Sequence, residues 1–167
     1  MTGRWIGKGR DTMRKRLITE TSHLGPRPDW FDLNNVATVE VTSETKDHPV
    51  ECALLLTETR GWRAARSGTQ IIRLLFDRPL KVKHISLVFE ETENARTQEF
   101  VLRWSSDLGH SFREIVRQQW NFSPPGTVRE VEDYSVDLLD VTVMELEVVP
   151  DKSGGEAQAS LESLRLA

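Results

Sequence analysis

Basic and aromatic side chains stand close together at several points of the sequence, and this combination suits the recognition of a polar ligand. An aromatic ring stacks on the polarised C–H face of a sugar, and the planar guanidinium of arginine forms paired hydrogen bonds with oxygen atoms. Asparagine and histidine add further donors and acceptors. The candidate ligand-binding residues are Arg60, Arg63, Arg66, His110, Trp120 and Asn121. They predict a site for a carbohydrate or a similar small polar ligand.

Residue types that serve catalysis are present, but not in catalytic patterns. The four histidines are His23, His48, His84 and His110. None is spaced from another, or from Cys52, as metal ligands are. The sequence has no Gly-x-Ser-x-Gly motif and no phosphate-binding glycine loop. An acid/base pair of carboxyl groups needs one buried member with a raised pKa. The carboxylates at Glu90-Glu91 and at Glu130-x-Glu132-Asp133 lie on strands or at their ends, where we expect them to be solvated instead. We therefore expect a non-catalytic protein, not an enzyme.

The charge of the chain is unevenly placed. The 22 basic and 26 acidic residues give a net charge of −4, which argues against a general nucleic-acid binder. Residues 1–28 hold seven of the basic and two of the acidic side chains, a net +5, which leaves −9 for the remainder. We expect residues 1–28 to form a basic, partly flexible arm that could also contact an acidic partner.

Cysteine usage and hydropathy bear on the compartment. Cys52 is the only cysteine, so an intrachain disulfide is impossible, and its apolar neighbours predict a core position. No apolar stretch reaches the ~18 residues that cross a bilayer, and the basic N-terminal residues are not followed by the apolar segment of a secretory signal. These features predict a soluble protein of a reducing compartment, the cytoplasm, with no membrane contact.

From Asp29 onward, short apolar runs separated by turn residues predict strands. The runs lie at 36–41, 71–76, 85–89, 100–104, 112–120, 144–148 and 161–166. Alternation within them places one apolar face on each strand, and only a second sheet can cover several such faces. Asp77-Arg78-Pro79 is expected to end the second run, and Trp104 is expected to be buried. The prediction is one all-β sandwich domain over residues 29–167.

Two stretches carry a family resemblance. Trp62 to Phe89 has a Trp, a short loop, an apolar strand ending in Asp-x-Pro, and a strand that begins Val-x-x-Ile. Phe100 to Phe112 runs from a strand into Ser-x-Asp and an aromatic residue, and Leu161 to Leu166 could be a final strand. This pattern resembles the discoidin, or coagulation factor 5/8 type C, domain. Leu108 departs from the pattern by interrupting the usual Asp-Gly pair.

The resemblance implies an eight-stranded jelly roll of the galactose-binding type, with any ligand on loops at one end of the sandwich. It also implies that Trp62 is a core residue. Some members of the resembling family bind Ca²⁺ in an early loop, where this chain has the oxygen donors Asp29, Asp32, Asn34 and Asn35. Asp and Asn equally favour plain turns, so no cofactor is predicted and Ca²⁺ stays an alternative.

Two functions follow as hypotheses. The first is a non-catalytic recognition module that binds a carbohydrate or similar small polar ligand through loops at one end of the sandwich. The second is an intracellular protein-interaction or assembly module that uses the basic arm. Ligand identity and oligomeric state stay open at this point.

Overall fold

The computed structural model describes residues 28–167, so the basic arm up to residue 27 lies outside the described part of the chain. Within it are two short helices and eight strands. The helices are α1 (Leu33–Val36) and α2 (Glu51–Leu54). The strands are β1 (Ala37–Val41), β2 (Trp62–Ser67), β3 (Gln70–Glu90), β4 (Arg96–Ser105), β5 (Arg113–Phe122), β6 (Arg129–Val149), β7 (Gln158–Leu161) and β8 (Ser163–Leu166).

Two strands of 21 residues, β3 and β6, pair with each other and contribute to both layers of the sandwich. The first part of β3 pairs with β1 and the last part of β6, which in turn pairs with β4, and β5 lies beyond β4. The second part of β3 pairs with the first part of β6 and with β8. The register between β3 and β6 shifts between Leu75 and His84, and such irregularities bend strands.

The core lies between these two layers, as the alternation predicts. Phe89, near the end of β3, stacks on Phe100 of β4 with 5.2 Å between the ring centroids. Both rings are within 1 % of full burial, and Leu102 and Leu146 are buried with them. Since Phe89 and Phe100 come from different layers, their contact closes the predicted all-β jelly-roll sandwich.

Three local predictions were inaccurate. Asp77-Arg78-Pro79 does not end a strand, because β3 continues through it with a register shift. Trp104 is only partly buried, with the Arg113 guanidinium 5.7 Å above its ring. The closing run divides into two strands, since Leu161 ends β7, which pairs with β2, whereas the residues after it form β8. Cys52 is buried as predicted, although it lies in α2.

Candidate functional site

A polar cleft of about 520 Å³ opens where β3 ends and β4 begins. Four separate parts of the chain form it: His48, the start of β2 with the two residues before it, the connection between β3 and β4, and the region from Asp151 to Glu162 around β7. Loops at an end of a rigid sandwich are a common place for binding sites. This cleft is our candidate site.

Trp62 anchors the wall that β2 contributes. Its ring is 1 % exposed and its Nε1 atom donates a hydrogen bond to the main-chain oxygen of Ser43 at 3.0 Å, so it is a core residue as predicted. Gly61 precedes it with φ +70°. A side chain at Gly61 would place its Cβ 2.8 Å from the main-chain oxygen of Leu161. Glycine at this position therefore lets the β2 entry lie directly against β7.

Arg96 forms the floor of the cleft. Its side chain is 3 % exposed, and its Nη1 atom donates a 2.9 Å hydrogen bond to the main-chain oxygen of Gln158. The guanidinium also lies 5.8 Å from the centre of the Phe122 ring, in cation–π contact. Burial lowers the pKa of Arg96, which the nearby Glu91 carboxylate offsets only in part. The cleft is therefore built around a buried guanidinium.

Glu91 organises the loop that forms the rim above Arg96. Its Oε1 atom accepts hydrogen bonds from the main-chain N–H groups of Glu93 and Asn94 at 2.8 and 3.1 Å. Its Oε2 atom lies 3.1 Å from Arg96 Nε. The Glu91 carboxylate thus shapes the β3–β4 connection and pairs with the buried Arg96. The sequence predicted that Glu91 is solvated, whereas its side chain is only 14 % exposed.

The lining is rich in groups that form hydrogen bonds and poor in exposed rings. It includes the basic residues His48, Arg60, Arg63 and Arg96 and the acidic residues Glu90, Glu91, Glu93, Asp151, Glu156 and Glu162. Of the described residues that line it, Trp62 alone is aromatic, and its ring is buried. Recognition here would depend on hydrogen bonds and charge, not on stacking.

The structure brings two of the sequence-predicted residues to this cleft. Arg60 and Arg63 both line it and are exposed. Arg66 lies further along β2, outside the lining, and its Nη2 atom donates to the main-chain oxygen of Thr42 at 2.5 Å.

His110, Trp120 and Asn121 lie outside the lining of the cleft. His110 is exposed in the β4–β5 connection, at the far end of β4 from Thr97, which pairs with Asn121. The eight residue-to-residue steps of strand from Thr97 to Ser105 span about 26 Å. Asn121 is exposed and accepts a hydrogen bond from Thr97, whereas Trp120 is partly buried against the core.

One carboxylate prediction is wrong. Glu130, expected to be solvated, is 1 % exposed in the interior, where it accepts a 3.4 Å hydrogen bond from Gln98 Nε2. Burial, followed by the neighbouring Glu132 carboxyl group, raises the pKa of Glu130 to about 8. It lies outside the lining of the cleft.

The early oxygen donors show no arrangement for a metal. Asp32 accepts a 2.6 Å hydrogen bond from Asn35 Nδ2, which is the turn-type contact that Asp and Asn favour. Within residues 28–167, no group of three or more His, Cys, Asp or Glu side chains is placed to hold a metal ion.

Sequence reasoning missed Arg96 and Gln158. The alternation of β4 held a signal for Arg96, because counting back in steps of two from buried Leu102 and Phe100 reaches Gln98 and Arg96 on the same face. Gln158 had no such signal, since it contributes its main-chain oxygen.

Comparisons with known proteins place the fold but not the family. No family model and no curated protein matches the sequence. Among solved structures, the chain is similar to CpGH89CBM32-5 from Clostridium perfringens, in complex with GalNAc-β-1,3-galactose. The identity is 18 %, the TM-score is 0.61, and the match covers 82 % of this chain and 98 % of that one. The fold is the discoidin, or galactose-binding-like, jelly roll.

Other structures with the discoidin-like fold match to a similar degree. The CBM32 of AlyQ, in complex with 4,5-unsaturated mannuronic acid, is 16 % identical with a TM-score of 0.57, covering 83 % of this chain and 97 % of that one. Reduced XRCC1 bound to the DNA polymerase β catalytic domain is 12 % identical with a TM-score of 0.57, covering 79 % and 95 %. The resemblance stated from the sequence is thus confirmed for the fold. Neither helix among the described residues has the length and apolar character of a membrane span.

Proposed function

We propose that the protein is a non-catalytic carbohydrate-binding module whose ligand enters the cleft above Arg96. The observation that carries this proposal is a buried guanidinium, 3 % exposed, on the floor of a polar cleft of about 520 Å³. A cleft of this size accepts one or two sugar rings. Solved structures of the same fold, such as the family 32 module of Clostridium perfringens NanJ in complex with galactose, support a sugar as the ligand class.

The chemistry of the lining fits a ligand with many hydroxyl groups. A hydroxyl group both donates and accepts, so it can use a guanidinium on one side and a carboxylate on the other. The exposed Arg60 and Arg63 supply donors, and Asp151 and Glu162 supply acceptors. Both Arg63, which is exposed, and Arg96, which is buried, line the cleft, so it carries positive charge at its surface and beneath it.

Binding to a panel of neutral, amino and acidic oligosaccharides, measured by calorimetry, tests the proposal. Arg63→Ala removes an exposed cleft residue without touching the core, and we expect at least a tenfold loss of affinity, about 1.4 kcal/mol. Arg78→Ala is the matched control, because Arg78 is exposed on the bend of β3, outside the lining. Absence of binding to every sugar, or equal losses in the two variants, would contradict the proposal.

Trp120→Ala separates this cleft from the site predicted by sequence. Trp120 lies outside the cleft lining, so its removal should leave sugar affinity within about twofold of the native chain. A loss comparable to that of Arg63→Ala would move the site to the β4–β5 hairpin.

The alternative of a protein-interaction module draws support from the fold's occurrence in XRCC1 bound to the DNA polymerase β catalytic domain. The basic arm to which that hypothesis assigns binding lies outside the described residues. Sedimentation of the full chain and of a chain lacking residues 1–28 distinguishes the two ideas. An unchanged oligomeric state and unchanged partners after the deletion would argue against the arm as an interaction element.

A further inference from the structure

A cluster of polar side chains lies between the two layers, outside the lining of the cleft. Glu130 of β6 pairs in register with Phe89 of β3, so both side chains are on the face that meets β4. Gln98 comes two residues before Phe100 on β4 and faces the same interior. Glu130 and Gln98 are each 1 % exposed. The cluster is therefore part of the interface between the layers.

The cluster has more hydrogen-bond acceptors than donors. Glu130 Oε1 and Gln98 Oε1 are buried without a partner. Within residues 28–167, two donors reach the carboxyl groups: Gln98 Nε2 to Glu130 at 3.4 Å, and the Tyr134 hydroxyl to Glu132 at 2.8 Å. A buried acceptor without a donor costs about 1–3 kcal/mol, and a proton on one carboxyl group converts an acceptor into a donor.

Among residues 28–167, no basic side chain forms an ion pair with Glu130 or Glu132. The pKa of Glu130 is raised by its own burial and by Glu132, and it is lowered by the hydrogen bond from Gln98. Arg96, two residues before Gln98, is committed to Glu91 and Gln158 at the cleft. Glu130 is buried and Glu132 is partly buried beside it, and burial next to a second carboxyl group without a counterion favours the protonated form of Glu130.

We propose that Glu130 and Glu132 share one proton at neutral pH and form a pH-sensitive link between the two layers of the sandwich. Protonated Glu130 donates to the Glu132 carboxylate, while Glu132 also accepts the Tyr134 hydroxyl hydrogen. Loss of the shared proton at alkaline pH leaves two negative charges facing Gln98, Phe89 and each other. The link then weakens on the side of β4 that holds Arg96.

The described residues that face this link are uncharged, so no charge on them alters the pH at which the pair of carboxyl groups loses its proton. On β6, Tyr134 is the other titratable neighbour, and its pKa is raised by burial and by Glu132, so it stays neutral. On β4 the facing residue is Gln98, and on β3 it is Phe89. On β5, Trp120 pairs with Gln98 in register. None of these carries a charge.

The test follows stability against pH in the full chain. Glu130→Gln keeps the shape and one donor but cannot titrate. Folding of the native chain takes up one proton between about pH 5 and pH 8, because Glu130 is protonated when folded and ionised when unfolded. Its unfolding equilibrium constant in urea should therefore rise by up to about tenfold per pH unit across that interval, and Glu130→Gln should lack this component. Glu114→Gln, an exposed carboxylate on β5, should retain it.

Infrared spectroscopy gives an independent readout. The native chain at pH 7 should show the C=O stretch of one protonated carboxyl group, which Glu130→Gln removes and Glu114→Gln keeps. Should Glu130→Gln not fold, Glu132→Gln serves instead, because removing the second carboxyl group moves the loss of the band to lower pH. A native chain with no protonated carboxyl band at pH 7, or with the same pH profile as Glu130→Gln, overturns the proposal.

Discussion

Arg96 Nη1 donates a hydrogen bond to the main-chain oxygen of Gln158, 2.9 Å away, and so joins β4 to β7 across 62 positions of sequence. The same guanidinium holds Glu91 and covers Phe122. A single buried side chain thus connects the rim, the floor and one wall of the cleft.

Arg96→Ala should therefore cost stability as well as binding. The substitution leaves the Glu91 carboxylate, 14 % exposed, without its cation, and breaking such a pair costs about 3 kcal/mol. Arg117→Ala is the control, since Arg117 is 46 % exposed in its pairs with Glu99 and Glu114 and should contribute below about 1 kcal/mol. Urea unfolding of both variants measures the difference. Equal costs would show that Arg96 acts only as a surface charge.

Gly61→Ala should destabilise the protein more than Gly68→Ala. Both glycines have positive φ, +70° and +79°, so alanine pays about 1 kcal/mol at either position. At Gly61 the new Cβ also meets the main-chain oxygen of Leu161 at 2.8 Å, whereas nothing lies within 4 Å at Gly68. We expect a total of about 2–3 kcal/mol for Gly61→Ala in thermal or urea unfolding. Similar losses of unfolding free energy in the two variants would mean that β7 moves away from β2 at little cost.

Leu108→Gly should stabilise the chain. Leu108 has φ +61° and is 74 % exposed, so it bears the strain of the left-handed region and buries little apolar surface. Relief of that strain exceeds the added entropy of glycine by about 0.5–1 kcal/mol. Leu139→Gly, at an exposed strand position, should instead lose about 1 kcal/mol. A fall in melting temperature for Leu108→Gly would indicate a contact of its side chain that outweighs the strain.

Asp107 should make the β4–β5 connection sensitive to acid. Its carboxylate accepts hydrogen bonds from Ser105 Oγ at 2.6 Å and from the main-chain N–H of Ser111 at 2.9 Å. These bonds, with those of the Ser111 hydroxyl, hold the pKa of Asp107 well below its usual range. A depressed folded-state pKa contributes stability that is present above about pH 4 and is lost as pH falls below it.

Asp107→Asn should flatten this acid response. Amide hydrogen exchange of residues 106–111 at pH 3 and pH 6 reports it, with a smaller difference between the two conditions in the variant. Asp133→Asn, an exposed carboxylate on β6, should leave the exchange of this segment unchanged. The prediction would be contradicted if exchange in this segment of the native chain did not differ between the two pH values, because Asp107 would then not make the β4–β5 connection sensitive to acid.

The fold could be predicted from the sequence because its signal is local. Alternation at Phe100 and Leu102, or at Leu146 and Val148, assigns one face of a strand to the core without knowledge of its partner. The length of β3 was not predictable in the same way. Asp77-Arg78-Pro79 has the composition of a turn. Only the pairing of Leu75 and Leu80, on either side of it, with β6 shows that the strand bends and continues.

The candidate site could be predicted only in part, because it depends on distant segments. The pairing of β2 with β7 and the hydrogen bond of Arg96 bring together Arg63, Arg96 and Gln158. Neither contact can be predicted from the residues next to these positions in the sequence. Trp120 and His110 are of a suitable residue type, yet His110 lies at the other end of the β4–β5 hairpin, and Trp120, although it pairs with Gln98 near Arg96, packs against the core and does not line the cleft. Glu130 and Glu132 flank the apolar Val131, so alternation predicts that the carboxylates face solvent, whereas in the structure Val131 is exposed and Glu130 is buried between the layers.

The shared long strands have a mechanical consequence. Since β3 and β6 each pass through both layers without interruption, each layer depends on two strands that it shares with the other. A cut at the bend would sever the backbone of both sheets at once. Fragments that correspond to one layer should not fold separately, and the described part of the chain should unfold in a single cooperative transition, with the cleft and the interior lost together.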